Sequence, residues 1–108
     1  MSQLLEKKCI PCSIGDTPLA EEEINGYLKE LGGDWILNDG HLKKTFGFKD
    51  FKEALAFTNK VGQLAEEQGH HPTIHLSWGR VMIEQWTSKI KGLHENDFVL
   101  AAKIDALN

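Results

Sequence analysis

Apolar positions along this 108-residue chain change period several times, and the changes spell out helix, two strands, helix, two strands, helix. Thr17-Pro18 supplies an N-cap and a first-turn proline. Ile24, Tyr27, Leu28 and Leu31 then recur at helical spacing, and Glu21 to Glu23 suit the positive end of the helix dipole. Gly32-Gly33 ends this helix. Period two takes over in Asp34 to Leu37 and His41 to Phe48, which predict a hairpin around Asn38-Asp39-Gly40. Leu42, Phe46 and Phe48 alternate toward the core, and Lys44, which interrupts them, is expected to snorkel.

Asp50 and Glu53 form a capping-box-like start to a second helix, with Phe51, Ala54, Leu55, Phe57, Val61, Leu64 and Ala65 as its apolar face and Gly69 as its stop. A second hairpin follows. Ile74, Leu76 and Trp78 alternate in one strand, Gly79 marks the turn, and Val81 and Ile83 begin a strand expected to reach about Lys89. A last helix from about His94 to Leu107 carries Leu100, Ala101, Ile104 and Leu107 on one face, and Asp97 falls on the same inward side. Two helix-then-hairpin units predict an α+β domain: a four-stranded antiparallel sheet with three helices packed on one face. The whole of 1–108 reads as one domain, residues 1–16 being an irregular N-terminal arm.

Composition narrows the function. A net charge of -4, with no basic run denser than Lys7-Lys8 or Lys43-Lys44, argues against a nucleic-acid surface. No apolar run reaches the roughly 20 residues that span a membrane, and the N-terminus lacks a signal-peptide core, so a cytoplasmic location is expected. Cys9-Ile10-Pro11-Cys12 has the spacing of a redox dithiol or of half a zinc site, but it lies in the arm and lacks two further ligands; reduced thiols in a tail are the simpler reading.

His70-His71-Pro72 carries the chemistry. Imidazole exchanges protons near neutral pH, so two adjacent rings suit acid-base catalysis, and the proline sets His71 in extended backbone at an element boundary. Two plainer readings stand beside it, a helix-stop histidine followed by a pre-proline residue, and a metal site with His75. The second is disfavoured because adjacent extended residues point apart. His75 reads as a surface residue and His41 as a turn residue. Asp97 would stabilise a helix start without any function, and the tryptophans would serve as packing.

Taken in order, Glu66, His70-His71-Pro72, Trp78, Lys91-Gly92-Leu93, Asp97-Phe98 and Ala101-Ala102-Lys103-Ile104-Asp105 resemble the pterin-4a-carbinolamine dehydratase family over nearly the whole chain. The resemblance implies dehydration of a 4a-hydroxytetrahydropterin to quinonoid dihydropterin in pterin cofactor recycling, without metal or organic cofactor. It also implies a homodimer or homotetramer and a functional link to an aromatic amino acid hydroxylase. It makes His70 and His71 the catalytic pair, one acid and one base, and gives Glu66, Pro72, Trp78 and Asp97 supporting or substrate-binding places. Ser88 departs from the pattern, standing where the family usually has a third histidine; serine cannot carry the proton, which puts rate or stereochemical preference in question. Trp86, two residues earlier on that strand face, is placed to shape the site. His94 stands where many members have Ser or Thr, and is expected to cap the last helix poorly. The family also includes transcriptional dimerisation cofactors and relatives tied to molybdopterin metabolism, so a non-catalytic pterin- or partner-binding role is the alternative.

Overall fold

The computed structural model describes residues 19–32, 34–87 and 92–107; the thiol pair, the expected arm, Thr17, Pro18, Gly33, Ser88 and Lys89 to Lys91 lie outside them. Helix α1 spans Glu21–Leu31, β1 Ile36–Asn38, β2 His41–Gly47, α2 Phe51–Gln68, β3 Thr73–Ser77, β4 Arg80–Gln85 and α3 Glu95–Asp105. The order and type of elements match the periodicity. The strands form an antiparallel sheet in the order β1-β2-β4-β3. Asp39 (φ 53) and Gly40 (φ 76) both take left-handed backbone between the paired Asn38 and His41, as a two-residue hairpin with right-handed twist requires.

Leu42, Phe46, Val81 and Ile83 project from one face of the sheet and meet Ala54, Phe57 and Val61 of α2 and Phe98, Val99, Leu100, Ala101 and Ile104 of α3. Each fully buried Leu, Ile or Phe here contributes about 1.5–3 kcal/mol, so this layer holds the fold. Helix α1 buries none of its residues completely. Its Tyr27 ring stacks on Phe98 with centroids 5.1 Å apart, and the Tyr27 hydroxyl donates to Glu95 at 2.6 Å.

Several boundaries differ from expectation. Helix α1 begins after Ala20, because Glu23 reaches back to accept from the Ala20 N–H at 3.0 Å and closes the first turn there. β1 starts at Ile36, two residues later than the alternation suggested. On α2 only Ala54, Phe57, Val61 and Ala65 are buried, while Phe51 and Leu55 remain exposed. Trp78 does not continue the β3 alternation: it sits in the turn to β4 and is 68% exposed. β4 ends at Gln85 rather than near Lys89, and Thr87 pairs with Gly92 instead, its N–H donating to the Gly92 carbonyl at 2.8 Å. Lys44, expected to snorkel, instead keeps its charge within the protein. Its ammonium lies over the Phe46 ring at 4.8 Å and reaches Asp105 at 2.8 Å, and Asp105 also accepts from Trp35 Nε1 at 2.9 Å.

Candidate functional site

Gly69 closes α2 in left-handed backbone (φ 66, ψ 25), and the His70 N–H returns to the Ala65 carbonyl at 3.2 Å. This turn releases the chain straight into β3 through Pro72, so His70 and His71 stand where helix becomes strand. Successive side chains on extended backbone face opposite ways. Counting back from the Thr73–Glu84 pair of the β3–β4 ladder sets His70 and Pro72 on the helix side of the sheet with Gln85 and Thr87. The same count sets His71 and Thr73 on the open side with Glu84 and Trp86.

The contacts agree with that count. His70, whose side chain is 13% exposed, bonds through Nε2 to Oδ1 of Asp97 at 2.7 Å. Asp97 is wholly buried, and its Oδ2 accepts from Thr87 Oγ1 at 2.8 Å and from the His94 N–H at 3.0 Å. Three donors thus surround a carboxylate withdrawn from water, which offsets its desolvation. With the carboxylate accepting, His70 carries a proton on Nε2, and Nδ1 is the ring nitrogen left outside this bond. Asp97 belongs to α3, whose start is better made than the sequence suggested. His94 caps it with its ring, Nδ1 accepting from the Asn96 N–H at 3.0 Å, while Asp97 closes the reciprocal bond to the His94 backbone.

His71 lies on the other face with its side chain 61% exposed, hydrogen-bonded through Nε2 to the carboxylate of Glu66 from the last turn of α2. His71 also borders a pocket of about 120 Å³ whose other walls are Thr73, Glu84 and Trp86. Behind those walls, Glu84 joins two further histidines, His41 through Nδ1 at 2.5 Å and His75 through Nε2 at 3.0 Å, with Lys43 at 3.8 Å. These contacts, the His41 bond foremost and the His75 bond next, hold the Glu84 carboxyl below its ordinary value of 4.5. The His41 ring lies flat on Trp86, 8° from parallel with centroids 4.0 Å apart.

The residues expected to form a site therefore separate into groups. His70 and Asp97 are together, as are His71 and Glu66, and Pro72 lies directly between His71 and β3. Trp78 is at the opposite end of β3, beside Phe48 and Arg80 around another pocket. Ser88 lies outside the described residues, directly after Thr87. Among the described residues, no three His, Cys, Asp or Glu side chains are grouped to hold a metal ion, His70, His71 and His75 included. Sequence reasoning missed Thr87, Thr73 and Glu84. A period-two count through β4 would have put Thr87 on the inward face, but nothing local marks Glu84, whose histidine partners come from two other strands. His41, read as a turn residue, is instead the first residue of β2 and part of that cluster.

Comparison with known proteins follows this geometry. Residues 17–107 match the family model described as pterin 4 alpha carbinolamine dehydratase. A protein of Alkaliphilus metalliredigens is 57% identical over 106 residues, covering 97% of this chain and 96% of its own length. One of Rubrobacter xylanophilus is 50% identical over 107 residues, covering 99% of this chain and 100% of its own. Both are named, provisionally, as pterin-4-alpha-carbinolamine dehydratases. Among solved structures, a transcriptional coactivator/pterin dehydratase from Brucella melitensis superposes with a TM-score of 0.78 at 32% identity, over 84% of this chain and 98% of that one. A pterin dehydratase-like protein described as a RuBisCO assembly factor in the alpha-carboxysome superposes with a TM-score of 0.60 at 28% identity, over 71% of this chain and 92% of that one.

Proposed function

This chain belongs to the pterin-4a-carbinolamine dehydratase family, and we propose that it is an active dehydratase, converting 4a-hydroxytetrahydropterin to quinonoid dihydropterin and water with His70 and His71 as its proton carriers. The reaction removes hydroxide from C4a and a proton from a ring nitrogen, so it needs one acid and one base on a flat heterocycle. The observation that carries the reading is the different surroundings of two adjacent imidazoles. Asp97 holds the proton of His70 on Nε2, and His70 Nδ1 is the base toward the ring N–H. Glu66 orients the exposed His71 through its Nε2, and His71 is the acid that protonates the departing 4a-hydroxyl. Because the two rings leave opposite faces of the extended chain, the substrate lies across the start of β3.

Stopped-flow dehydration of enzymatically generated 4a-hydroxytetrahydropterin tests this. His70→Ala and His71→Ala are each expected to lower the rate by about 10²–10⁴, and Ser88→His to raise it. No acceleration by the parent protein, with a pterin still bound, would remove the enzyme reading. Oligomerisation fits the sheet, whose outer strands β1 and β3 each have a side unpaired among the described residues. A hydroxylase supplying the substrate in the same cell fits the chemistry.

A second reading, a pterin- or partner-binding role with little or no catalysis, has its own observation. Trp78, Phe51 and Leu55 expose apolar surface away from the histidines, and two relatives of known structure bear coactivator and assembly-factor descriptions. The same stopped-flow experiment separates the two, and a family role in molybdopterin metabolism would show as turnover without a neighbouring hydroxylase gene.

A further inference from the structure

The pocket beside His71 has two walls with no part yet in the chemistry, Trp86 and Glu84. Both sit on the open face of the sheet, and both are braced from behind. His41 covers one face of the Trp86 indole at 4.0 Å, so the pocket meets the rest of that ring. Glu84 is held from two sides by His41 and His75, and those bonds keep it an unprotonated acceptor. Each carboxylate oxygen offers two acceptor positions, so one bond apiece leaves room for a ligand's donors. A fixed aromatic plane beside a fixed carboxylate suits a flat heterocycle with adjacent N–H donors along one edge. The pocket is small and open, so it grips an edge of such a ring and leaves the rest at the rim, where His71 stands.

Resting on the dehydratase reading, we propose that Trp86 and Glu84 form the recognition wall for the substrate: the indole stacks on the pteridine plane, and the carboxylate accepts from the 2-amino and N3–H edge, turning the reacting carbon toward His71. Thr73 is the remaining wall, and its hydroxyl is a further polar group toward the ring. A heterocycle with an oxo group in place of the 2-amino group would bring an acceptor against Glu84, and the wall would reject it.

Calorimetric titration of the full chain with 7,8-dihydropterin and with its 2-oxo counterpart, 7,8-dihydrolumazine, tests the wall without needing turnover. The parent protein is expected to bind the pterin at least about tenfold more tightly, the difference a charged hydrogen bond confers. Glu84→Gln should compress that preference to about threefold or less, while Trp86→Ala weakens both ligands alike. In the dehydration assay Glu84→Gln should raise KM more than it lowers kcat. A parent protein that binds both heterocycles equally overturns the proposal, whatever the variants do. So does a folded Glu84→Gln variant that keeps the full preference. Failure of the dehydratase reading looks different: dehydration would not be accelerated at all, whereas failure of the wall alone leaves turnover intact and unselective.

Discussion

Replacing Asp97 by asparagine keeps the shape of the buried side chain and changes only its hydrogen-bonding sense. The amide oxygen is expected to stay with Thr87 Oγ1 and the His94 N–H, where two donors compete for it, and the amide nitrogen then faces His70 Nε2. An NH₂ group cannot accept from an N–H, so His70 must move its proton to Nδ1, the atom assigned as base. Three charge-assisted bonds of about 1.5–3 kcal/mol become neutral ones of about 0.5–1.5, a loss of roughly 3–4 kcal/mol in all. For a domain of this size that lowers Tm by roughly 15 °C. The rate should fall further than stability predicts, by about 10²–10⁴. Stopped-flow dehydration, thermal unfolding and nitrogen-15 NMR of the imidazoles would be read on one sample. A folded Asp97→Asn protein that retains its rate within about threefold, or whose His70 keeps the proton on Nε2, would refute the assignment.

The chain's sole tyrosine offers a clean titration: the hydrogen bond to Glu95, then burial, pushes the Tyr27 phenol up to about 12 from 10.0. A folded value above the unfolded one means the contribution to stability is complete below about pH 10 and is lost as pH rises toward 12; ultraviolet tyrosinate absorbance should show a late midpoint in native protein and an ordinary one in denaturant. Gln85 is 1% exposed and its side-chain amide has no partner among the described residues, so Gln85→Met is expected to raise stability by about 1–2 kcal/mol in urea unfolding, and a loss would contradict the reading. Asp105→Ala strands the buried Trp35 N–H and frees Lys44 together; a cost of about 1–3 kcal/mol is expected, and an unchanged midpoint would show that neither bond matters.

Periodicity made the fold legible because β2, α2, β4 and α3 each bury residues in the same layer, and Leu42, Phe46, Val61, Val81 and Ile104 all lie where their spacing put them. Trp78 was misread for a physical reason: alternation says which face a strand residue would take, but not where the strand stops. The buried half of the candidate site was partly legible, since the helical phase of Asp97 turned it inward. Its partner Thr87 had only the period-two phase of β4 to mark it, and the bridge to Gly92 that helps to position it left no local signal. Glu84 and His41 were invisible for a similar reason, being brought together by strand pairing, whereas His71 and Glu66 are local and could be read from one helical turn.

Helix α3 has a consequence for the order in which the chain emerges from the ribosome. Residues 19–87 contain the two hairpins, α1 and α2, yet the residues that fill their shared interior, Phe98 to Ile104, come afterwards, as do Asp97 and Asp105. Until they appear, the apolar side of the sheet has only α2 against it, His70 lacks its carboxylate, and Tyr27 has neither Phe98 nor Glu95 to meet. Contacts this distant along the chain close late and slowly. The nascent protein therefore passes through a stage that has its sheet and first two helices but no carboxylate against His70, and this is the interval in which it is most exposed to chaperones and to pairing with the wrong neighbour.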